Sequence, residues 1–150
     1  MPLWRQEQKR FGRRVVVTNG CFDVLHTGHL RYLCAARQLG DVLIVGINGD
    51  DSVRALKGPS RPLNSEADRA ELLGALKPVD AVVIFPEPRA VRFLELVQPD
   101  IYVKGGDYTE DQLDRDEVAV IKKAGGVIRI LPLVPGKSTS AMIKKAGGTL

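Results

Sequence analysis

The segment Gly20–His29 holds most of the residues in this chain that could perform chemistry. The chain has two histidines, and both fall within it as His26-Thr27-Gly28-His29. An imidazole N–H can donate a hydrogen bond to charge that develops on a phosphoryl group, and Gly28 lets the backbone approach a ligand closely. The pattern is neither a dinucleotide Gly-x-Gly-x-x-Gly nor a Gly-Lys-Ser/Thr loop. It therefore predicts phosphate binding that depends on His26 and His29.

Two other interpretations of the histidines stay open at this point. A histidine at a helix start can simply cap the helix or pack its ring. A metal site would need a third ligand, and the nearby carboxylate is Asp23. We favour phosphate binding, without a dedicated metal site, because both histidines share one short window at the end of an apolar run.

Short β-branched runs alternate with helical patterns along the whole chain. Strands are predicted at 15–18, 42–47, 81–85, 101–103 and 127–131. Helices are predicted at 29–39, 53–56, 65–76, 91–97, 118–124 and from about 138. Apolar strands that alternate with helices are typical of a parallel sheet covered on both faces. The predicted fold is therefore α/β, a Rossmann-like open five-stranded parallel sheet, with its ligand at the carboxyl ends of the strands.

Length and composition indicate one globular domain, residues 1–150, with 44% apolar and 27% charged residues. The net charge of +4 suits anionic ligands, but aromatics are only 5% and acidic residues are interspersed, which argues against nucleic acid. No apolar run approaches the roughly 20 residues that span a bilayer, and Met1–Arg10 is no signal peptide. We therefore expect a cytoplasmic protein with no membrane partner. Two cysteines are too few for a disulfide framework.

A hydroxyl-rich turn, Ser138–Ser140, lies near the other end of the chain. One hydroxyl can cap the last helix while the others, with the free backbone N–H groups, bind phosphate. Met142 and Ile143, which follow, are predicted to be core residues. The segment Lys104–Asp107 ends the fourth predicted strand, where paired glycines would let a base stack on the backbone. A simple strand-ending turn is the alternative there.

The two motifs together resemble the signatures of the cytidylyltransferase-like nucleotidyltransferases. Gly20–Asp23 with His26–His29 is similar to that family's first signature, His-x-Gly-His, and Lys137–Ser140 is similar to its second. The motifs lie at opposite ends, so the resemblance covers nearly the whole chain. It implies that an acceptor phosphate attacks the α-phosphorus of a nucleoside triphosphate and releases pyrophosphate. An ionised acceptor phosphate needs no general base, so catalysis would be positioning and charge stabilisation.

Three further segments resemble one group within that family, the adenylyltransferases of glycero-manno-heptose 1-phosphate: Leu56–Asn64, Glu66–Arg69 and Val103–Tyr108. This implies transfer of AMP from ATP to a sugar 1-phosphate, with Mg²⁺ bound to the triphosphate and a homodimer as an expected state. The glycerol-3-phosphate cytidylyltransferases share the outer motifs, but typically carry an arginine before the second, where residues 131–136 have none. A non-catalytic nucleotide-binding domain on this fold is the alternative from another class.

The resemblance also implies a set of site residues. The expected catalytic residues, which would contact or neutralise phosphates, are His26, His29 and Lys57. The expected nucleotide-binding residues are Gly20, Cys21, Phe22, Gly28, His29, Lys104, Gly106, Asp107, Ser138, Thr139 and Ser140. The expected acceptor-binding residues are Asp23, Asp50, Arg61 and Arg69. From sequence alone, Lys57 is equally a solvated surface lysine, and Arg69 an ordinary ion-pair partner on a helix.

Overall fold

A computed structural model of the chain describes residues 2–106, 108–132 and 138–147. These ranges contain five strands: β1 (Val15–Gly20), β2 (Val42–Asn48), β3 (Ala81–Phe85), β4 (Ile101–Gly105) and β5 (Val127–Leu131). They also contain seven α-helices: α1 (Leu3–Arg10), α2 (Thr27–Arg37), α3 (Asp50–Lys57), α4 (Glu66–Gly74), α5 (Val91–Val97), α6 (Arg115–Lys123) and α7 (Thr139–Lys145). Within the same ranges, no helix has the length and apolar character needed to cross a membrane.

The strands form a single parallel sheet in the order β3-β2-β1-β4-β5. The chain builds outward from β1 to β3 and then returns to place β4 on the other side of β1. The strand order therefore reverses between β1 and β4, and the crevice at their carboxyl ends is where such sheets bind ligands. This architecture confirms the predicted Rossmann-like α/β fold.

Two apolar clusters cover the two faces of the sheet, because successive strand residues point to opposite sides. Val16 lies in the cluster that includes Leu33 of α2 and Leu73 of α4. Its neighbours Val15 and Val17 lie in the cluster formed with α5 and α6. Gly46 in β2 is required by close packing, since a Cβ there would lie 2.5 Å from the ring of Phe93.

The structure corrects two expectations about burial and adds one helix that was not predicted. The apolar runs of β3 and β5 are not covered on both sides, because they form the sheet edges; Val83, Ile84 and Val127 are exposed. Met142 is 40% exposed rather than core, whereas Ile143 is buried. The added helix is α1, for whose residues no element was predicted.

Carboxylates fix the amino-terminal edge of the sheet. Asp41 accepts the backbone N–H of Arg14 at 2.7 Å. Asp80 and Asp100 accept, at 2.8 Å each, the N–H groups of Leu43 and Val15. These residues occupy the turns that enter the strands, so the starts of β1 and β2 are held by side chains. The carboxyl edge is left to the loops that form the site.

Candidate active site

A cavity of about 510 Å³ opens at the carboxyl edge of the sheet, where β1 and β4 separate. Its wall combines the end of β1, the loop into α2, the end of β4, the start of α6 and the start of α7. The lining residues are Asn19, Gly20, Cys21, Phe22, His26, Gly28, His29, Tyr32, Lys104, Gly105, Tyr108, Gln112, Leu113, Asp114, Glu117, Ser138 and Thr139. The first motif, the end of β4 and the second motif thus meet at one cavity.

The two histidines hold each other in place at the start of α2. His26 is the N-cap, and its Nδ1 accepts the backbone N–H of His29 at 3.3 Å. In return, Nδ1 of His29 accepts the backbone N–H of His26 at 3.3 Å. This reciprocal arrangement is a capping box built from two imidazoles. Their rings stack with centroids 3.8 Å apart, and Phe22 lies against His29 at 5.2 Å.

This cap determines which ring nitrogen carries the proton. Because each Nδ1 accepts a backbone N–H, a neutral ring in this position carries its proton on Nε2. Burial, and then the neighbouring His26, lower the pKa of His29 from 6.5 to about 4. His29 is therefore neutral at pH 7. The capping function and the phosphate-binding function do not compete, because they use opposite sides of the ring.

The lowered pKa of His29 predicts a pH-dependent loss of stability. Between pH 6.5 and about 4 the unfolded chain binds a proton at His29 that the folded chain does not. This contribution destabilises the fold progressively as the pH falls through that window, and it is absent above it. We expect the melting temperature to fall from pH 7 to pH 4.5 and His29→Gln to reduce that slope. An identical slope in the two proteins would contradict a buried, neutral His29.

Cys21 lies at the β2 side of this cavity, and the charge of Lys57 acts on it. The Cys21 thiol lines the cavity wall, with its Sγ 4.0 Å from Oδ1 of Asn48. Burial raises the pKa of the Cys21 thiol, and the Lys57 charge is the largest of the charges that oppose the increase. Lys57 is exposed at the end of α3 and is not part of the wall. Its ammonium is close enough to act electrostatically on the first motif.

Asp23 is buried in an ion pair with Arg61 rather than exposed on the cavity wall. Its carboxylate accepts Nε–H of Arg61 at 2.7 Å and the backbone N–H groups of Leu63 and Asn64 at 2.9 Å. Burial acts to raise the pKa of Asp23, but the two backbone N–H groups and Arg61 outweigh it and lower that pKa. Asp23 therefore fastens the loop after α3 to the first motif.

Arg69 of α4 is a second fastening point, with a side chain 1% exposed. Its guanidinium donates to the carbonyl oxygens of Cys21 and Asn48 at 2.8 Å and of Asn64 at 3.1 Å. It also pairs with Asp50 at 2.9 Å. These contacts join the ends of β1 and β2 to α4. They support a scaffold function, and acceptor binding by Asp23, Asp50, Arg61 and Arg69 stays a prediction.

The second motif is joined to the first by a side-chain contact. Thr139 Oγ1 donates to the carbonyl oxygen of Val24 at 2.8 Å. Ser138 caps α7, and its Oγ accepts the N–H of Ala141 at 3.0 Å. Ser140 is exposed and is not among the wall residues. The Ser138 and Thr139 hydroxyls thus already have protein partners, and phosphate binding by this turn stays a prediction. Lys137 lies outside the described residues.

The end of β4 contributes Lys104 and Gly105 to the wall. The Lys104 ammonium lies 5.5 Å from the centroid of the Tyr102 ring. Gly106 adopts φ +136° and donates its N–H to the Leu131 carbonyl at 2.9 Å. A Cβ at Gly106 would meet the ring of Tyr108 at 2.6 Å, so this turn needs glycine. Asp107, also predicted to bind nucleotide, lies outside the described residues.

Comparison with known proteins identifies the family. The model of the cytidylyltransferase-like family matches residues 17–145, which include both motifs, β1 from its third residue onward and the other four strands in full. The chain belongs to the cytidylyltransferase-like family. This confirms the resemblance drawn from the two motifs and the prediction of a nucleotidyltransferase enzyme.

This cytidylyltransferase-like chain is similar to several proteins named Bifunctional protein HldE. The protein from Methylobacillus flagellatus is 50% identical over 142 residues, and the protein from Geotalea uraniireducens is 51% identical over 138. The matches cover 95% and 92% of this chain but 28% of each relative, so the chain spans little more than a quarter of their length.

A solved structure, the lipopolysaccharide core biosynthesis protein from Thermoplasma volcanium GSS1, has the same fold with a TM-score of 0.66. It is 31% identical to this chain, and the match covers 82% of this chain and 98% of that one. The expectations of a single domain over 1–150, a homodimer and a cytoplasmic location stay predictions.

Several wall residues of this cytidylyltransferase-like cavity were not expected from the sequence. They come from the end of β1, from α2, from the segment between β4 and α6 and from the first turn of α6: Asn19, Tyr32, Tyr108, Gln112, Leu113, Asp114 and Glu117. One available signal was Asp114, which caps α6 by accepting the N–H groups of Asp116 and Glu117. Starting the predicted helix at 118 left this cap outside it. The position of Asn19, beside Gly20 at the end of β1, was the other signal.

Proposed function

We propose that this chain transfers the AMP moiety of ATP to the phosphate of a sugar 1-phosphate, a heptose 1-phosphate, and releases pyrophosphate. The observation that carries the proposal is the reciprocal histidine cap. It fixes two imidazoles at a helix start, on the wall of the cavity between the carboxyl ends of β1 and β4. The similarity to a lipopolysaccharide core biosynthesis protein supports a sugar phosphate as acceptor. The segments that resemble heptose adenylyltransferases support ATP as the donor.

In the proposed reaction, an oxygen of the acceptor phosphate forms a bond to the α-phosphorus while the bond to the bridging α–β oxygen breaks. The electron pair of that bond leaves with pyrophosphate. The N–H groups of His26 and His29 would donate to the phosphate oxygens as charge moves onto them. The first-turn N–H groups of α2 would add the partial positive charge of a helix start. Lys57 would neutralise part of the remaining phosphate charge.

Mg²⁺ is proposed to arrive with the triphosphate. Across residues 2–106, 108–132 and 138–147, no three His, Cys, Asp or Glu side chains converge as a metal site. The two wall carboxylates already have partners, since Asp114 pairs with Arg89 and Glu117 accepts the N–H of Ala90. Because these carboxylates are already engaged, the wall suits a cation that is held mainly by phosphate oxygens and water. When bound, Mg²⁺ would neutralise charge on the triphosphate.

The test of this proposal is a grid of ATP and CTP against heptose 1-phosphate and glycerol 3-phosphate, measured as pyrophosphate release. We expect ATP with heptose 1-phosphate to give the highest kcat/KM, at least about tenfold above CTP, because a base site leaves buried polar groups unpaired with the wrong base. Nucleotide melting shifts should follow the same order. Faster release with CTP and glycerol 3-phosphate would replace the adenylyl assignment with the cytidylyl one.

Lys57→Ala tests the electrostatic part of the mechanism. We expect KM for ATP or the acceptor to increase about five- to tenfold, whereas the melting temperature changes little because an exposed lysine contributes little to folding. Lys9→Ala, an exposed lysine on α1, is the matched control and should leave both constants unchanged. Lys57→Arg should recover part of the affinity. Equal constants in wild type and Lys57→Ala would make Lys57 a solvated surface residue.

A further inference from the structure

A buried tyrosine hydroxyl joins two polar side chains of the cavity wall. Tyr102 lies in the middle of β4 with its side chain fully buried. Its hydroxyl lies 2.6 Å from Oδ1 of the Asn19 amide and 3.2 Å from Oε2 of Glu117. The other carboxylate oxygen, Oε1 of Glu117, accepts the backbone N–H of Ala90 at 3.0 Å. A connected path therefore runs from α5 through α6 and β4 to the end of β1.

Counting protons along this path determines how the Asn19 amide is oriented. The hydroxyl of Tyr102 has one proton, and a carboxylate such as that of Glu117 only accepts. If the hydroxyl donates to the Asn19 carbonyl, Oε2 of Glu117 faces the phenol oxygen with no proton between them. A half-turn of the amide exchanges its oxygen and nitrogen. The Asn19 NH₂ group then donates to the phenol oxygen, and the phenol donates to Glu117, so every contact has a donor.

We infer that Asn19 presents its carbonyl oxygen to the cavity and there accepts a hydrogen bond from an O–H or N–H group of the non-phosphate part of the ligand. Among the hydrogen bonds of the described residues, the Asn19 side chain has Tyr102 as its partner and no other. The far end of the amide is thus available to a ligand. The Glu117 carboxylate lines the same wall without a cationic partner among the described residues, which disfavours an anion there. The phosphates would instead bind at His26 and His29.

This inference rests on the proposed nucleotidyl transfer and adds a specificity residue to it. The donor group on the ligand could belong to the nucleoside of ATP or to the hydroxyls of the sugar phosphate. Both sources present the same chemistry, so separate binding measurements must distinguish them. Tyr102 and Glu117 act as positioning residues, because they set the orientation of the amide and Tyr102 itself is buried.

The first experiment compares wild type with Asn19→Ala by calorimetry, using Mg²⁺-ATP, heptose 1-phosphate and Mg²⁺-tripolyphosphate as probes. Loss of one hydrogen bond should weaken one of the two organic ligands about tenfold. Tripolyphosphate affinity should stay unchanged. Selective weakening of ATP assigns the contact to the nucleoside, and selective weakening of heptose 1-phosphate assigns it to the acceptor. Equal weakening of tripolyphosphate, or no change for either organic ligand, overturns the inference.

The second experiment uses Glu117→Gln to reverse the orientation of the amide. The glutamine NH₂ group can donate to the phenol oxygen, so the hydroxyl of Tyr102 donates to Asn19 instead. The Asn19 NH₂ group then faces the cavity and can bind phosphate. In the Glu117→Gln background, Asn19→Ala should lower the affinity for tripolyphosphate severalfold, because one hydrogen bond to phosphate is lost. In the wild-type background it should not.

Tyr32→Phe controls for general loosening between β1 and β4. The Tyr32 hydroxyl also joins these strands, through Thr18 at 2.6 Å and the Val103 carbonyl at 3.1 Å, but it does not contact Asn19. Tyr32→Phe should lower the melting temperature. The effect of Asn19→Ala on the ratio of ATP to tripolyphosphate affinity should be the same in the Tyr32→Phe background as in the wild-type background. If Asn19→Ala changes the tripolyphosphate affinity equally in the wild-type and Glu117→Gln backgrounds, the inference is overturned. Wild type that binds the probes but releases no pyrophosphate overturns the proposed function alone; wild type that binds none overturns both.

Discussion

His29→Ala is expected to lower kcat by about 10²–10³ with little change in nucleotide affinity, because a donor aimed at developing charge acts mainly in the transition state. The His29 ring is fixed from both sides, by the N–H of His26 and by Phe22. A ring held in this way does not have to be ordered again during the reaction. Pyrophosphate release at saturating ATP and acceptor gives kcat, and titration of ATP gives the affinity.

The capping function of His29 requires its own control. His29→Ala removes the acceptor of the His26 N–H, which is one half of the capping box, and should cost up to about 1 kcal/mol of stability. Glutamine at the third helical position can accept the N-cap N–H in an ordinary capping box. His29→Gln should therefore recover much of the melting temperature but little of the kcat. Recovery of both would reduce the role of His29 to a helix cap.

Asp23→Ala is expected to destabilise the fold by about 3–5 kcal/mol, a large part of the roughly 5–15 kcal/mol that holds a domain. The change leaves the Arg61 guanidinium buried without its carboxylate and removes the acceptor of the Leu63 and Asn64 N–H groups. Urea unfolding followed by circular dichroism measures the loss. Because the pKa of Asp23 is lowered by folding, its contribution is present at neutral pH and is lost as the pH falls through that lowered pKa.

A double variant separates structure from acceptor binding. In Asp23→Ala/Arg61→Met the unpaired buried charge is gone, so the double variant should be more stable than Asp23→Ala alone. A structural ion pair predicts this non-additivity. A folded, normally stable Asp23→Ala protein with a raised KM for the sugar phosphate would instead support the acceptor-binding prediction.

The sheet and the histidine pair could be predicted from local signals. Runs such as 42–47 and 127–131 are strands because their β-branched residues fit a pleated surface, and the structure places strands there. His26 and His29 could be placed at the site because the end of a strand and the start of a helix are both short-range features. The start of α4 could be predicted in the same way, with Asn64 or Ser65 as its cap. In the structure Ser65 is the cap, and its Oγ accepts the N–H of Asp68.

The partners of the charged side chains could not be predicted in this way. Asp23 and Arg61 are 38 residues apart, and Arg69 and Cys21 are 48 apart, so only the folded loops bring them together. Sequence reasoning assigned Asp23, Arg61 and Arg69 to the acceptor, which stays a prediction. The structure adds the contacts of these side chains with other parts of the chain. The contact of Asn19 with Tyr102 could not be predicted for the same reason, because the two residues are 83 positions apart in the sequence. Tyr102 reads in the sequence as an ordinary strand residue.

The aspartates at the amino-terminal edge of the sheet have a consequence for protein engineering. Asp41, Asp80 and Asp100 hold the starts of the strands at the end of the molecule opposite the cavity. Substitutions in the loops of the carboxyl edge can therefore be selected for a new acceptor while these anchors keep the strands in register. A library that varies residues 108–113 and retains the three aspartates would change substrate recognition with little loss of folded protein.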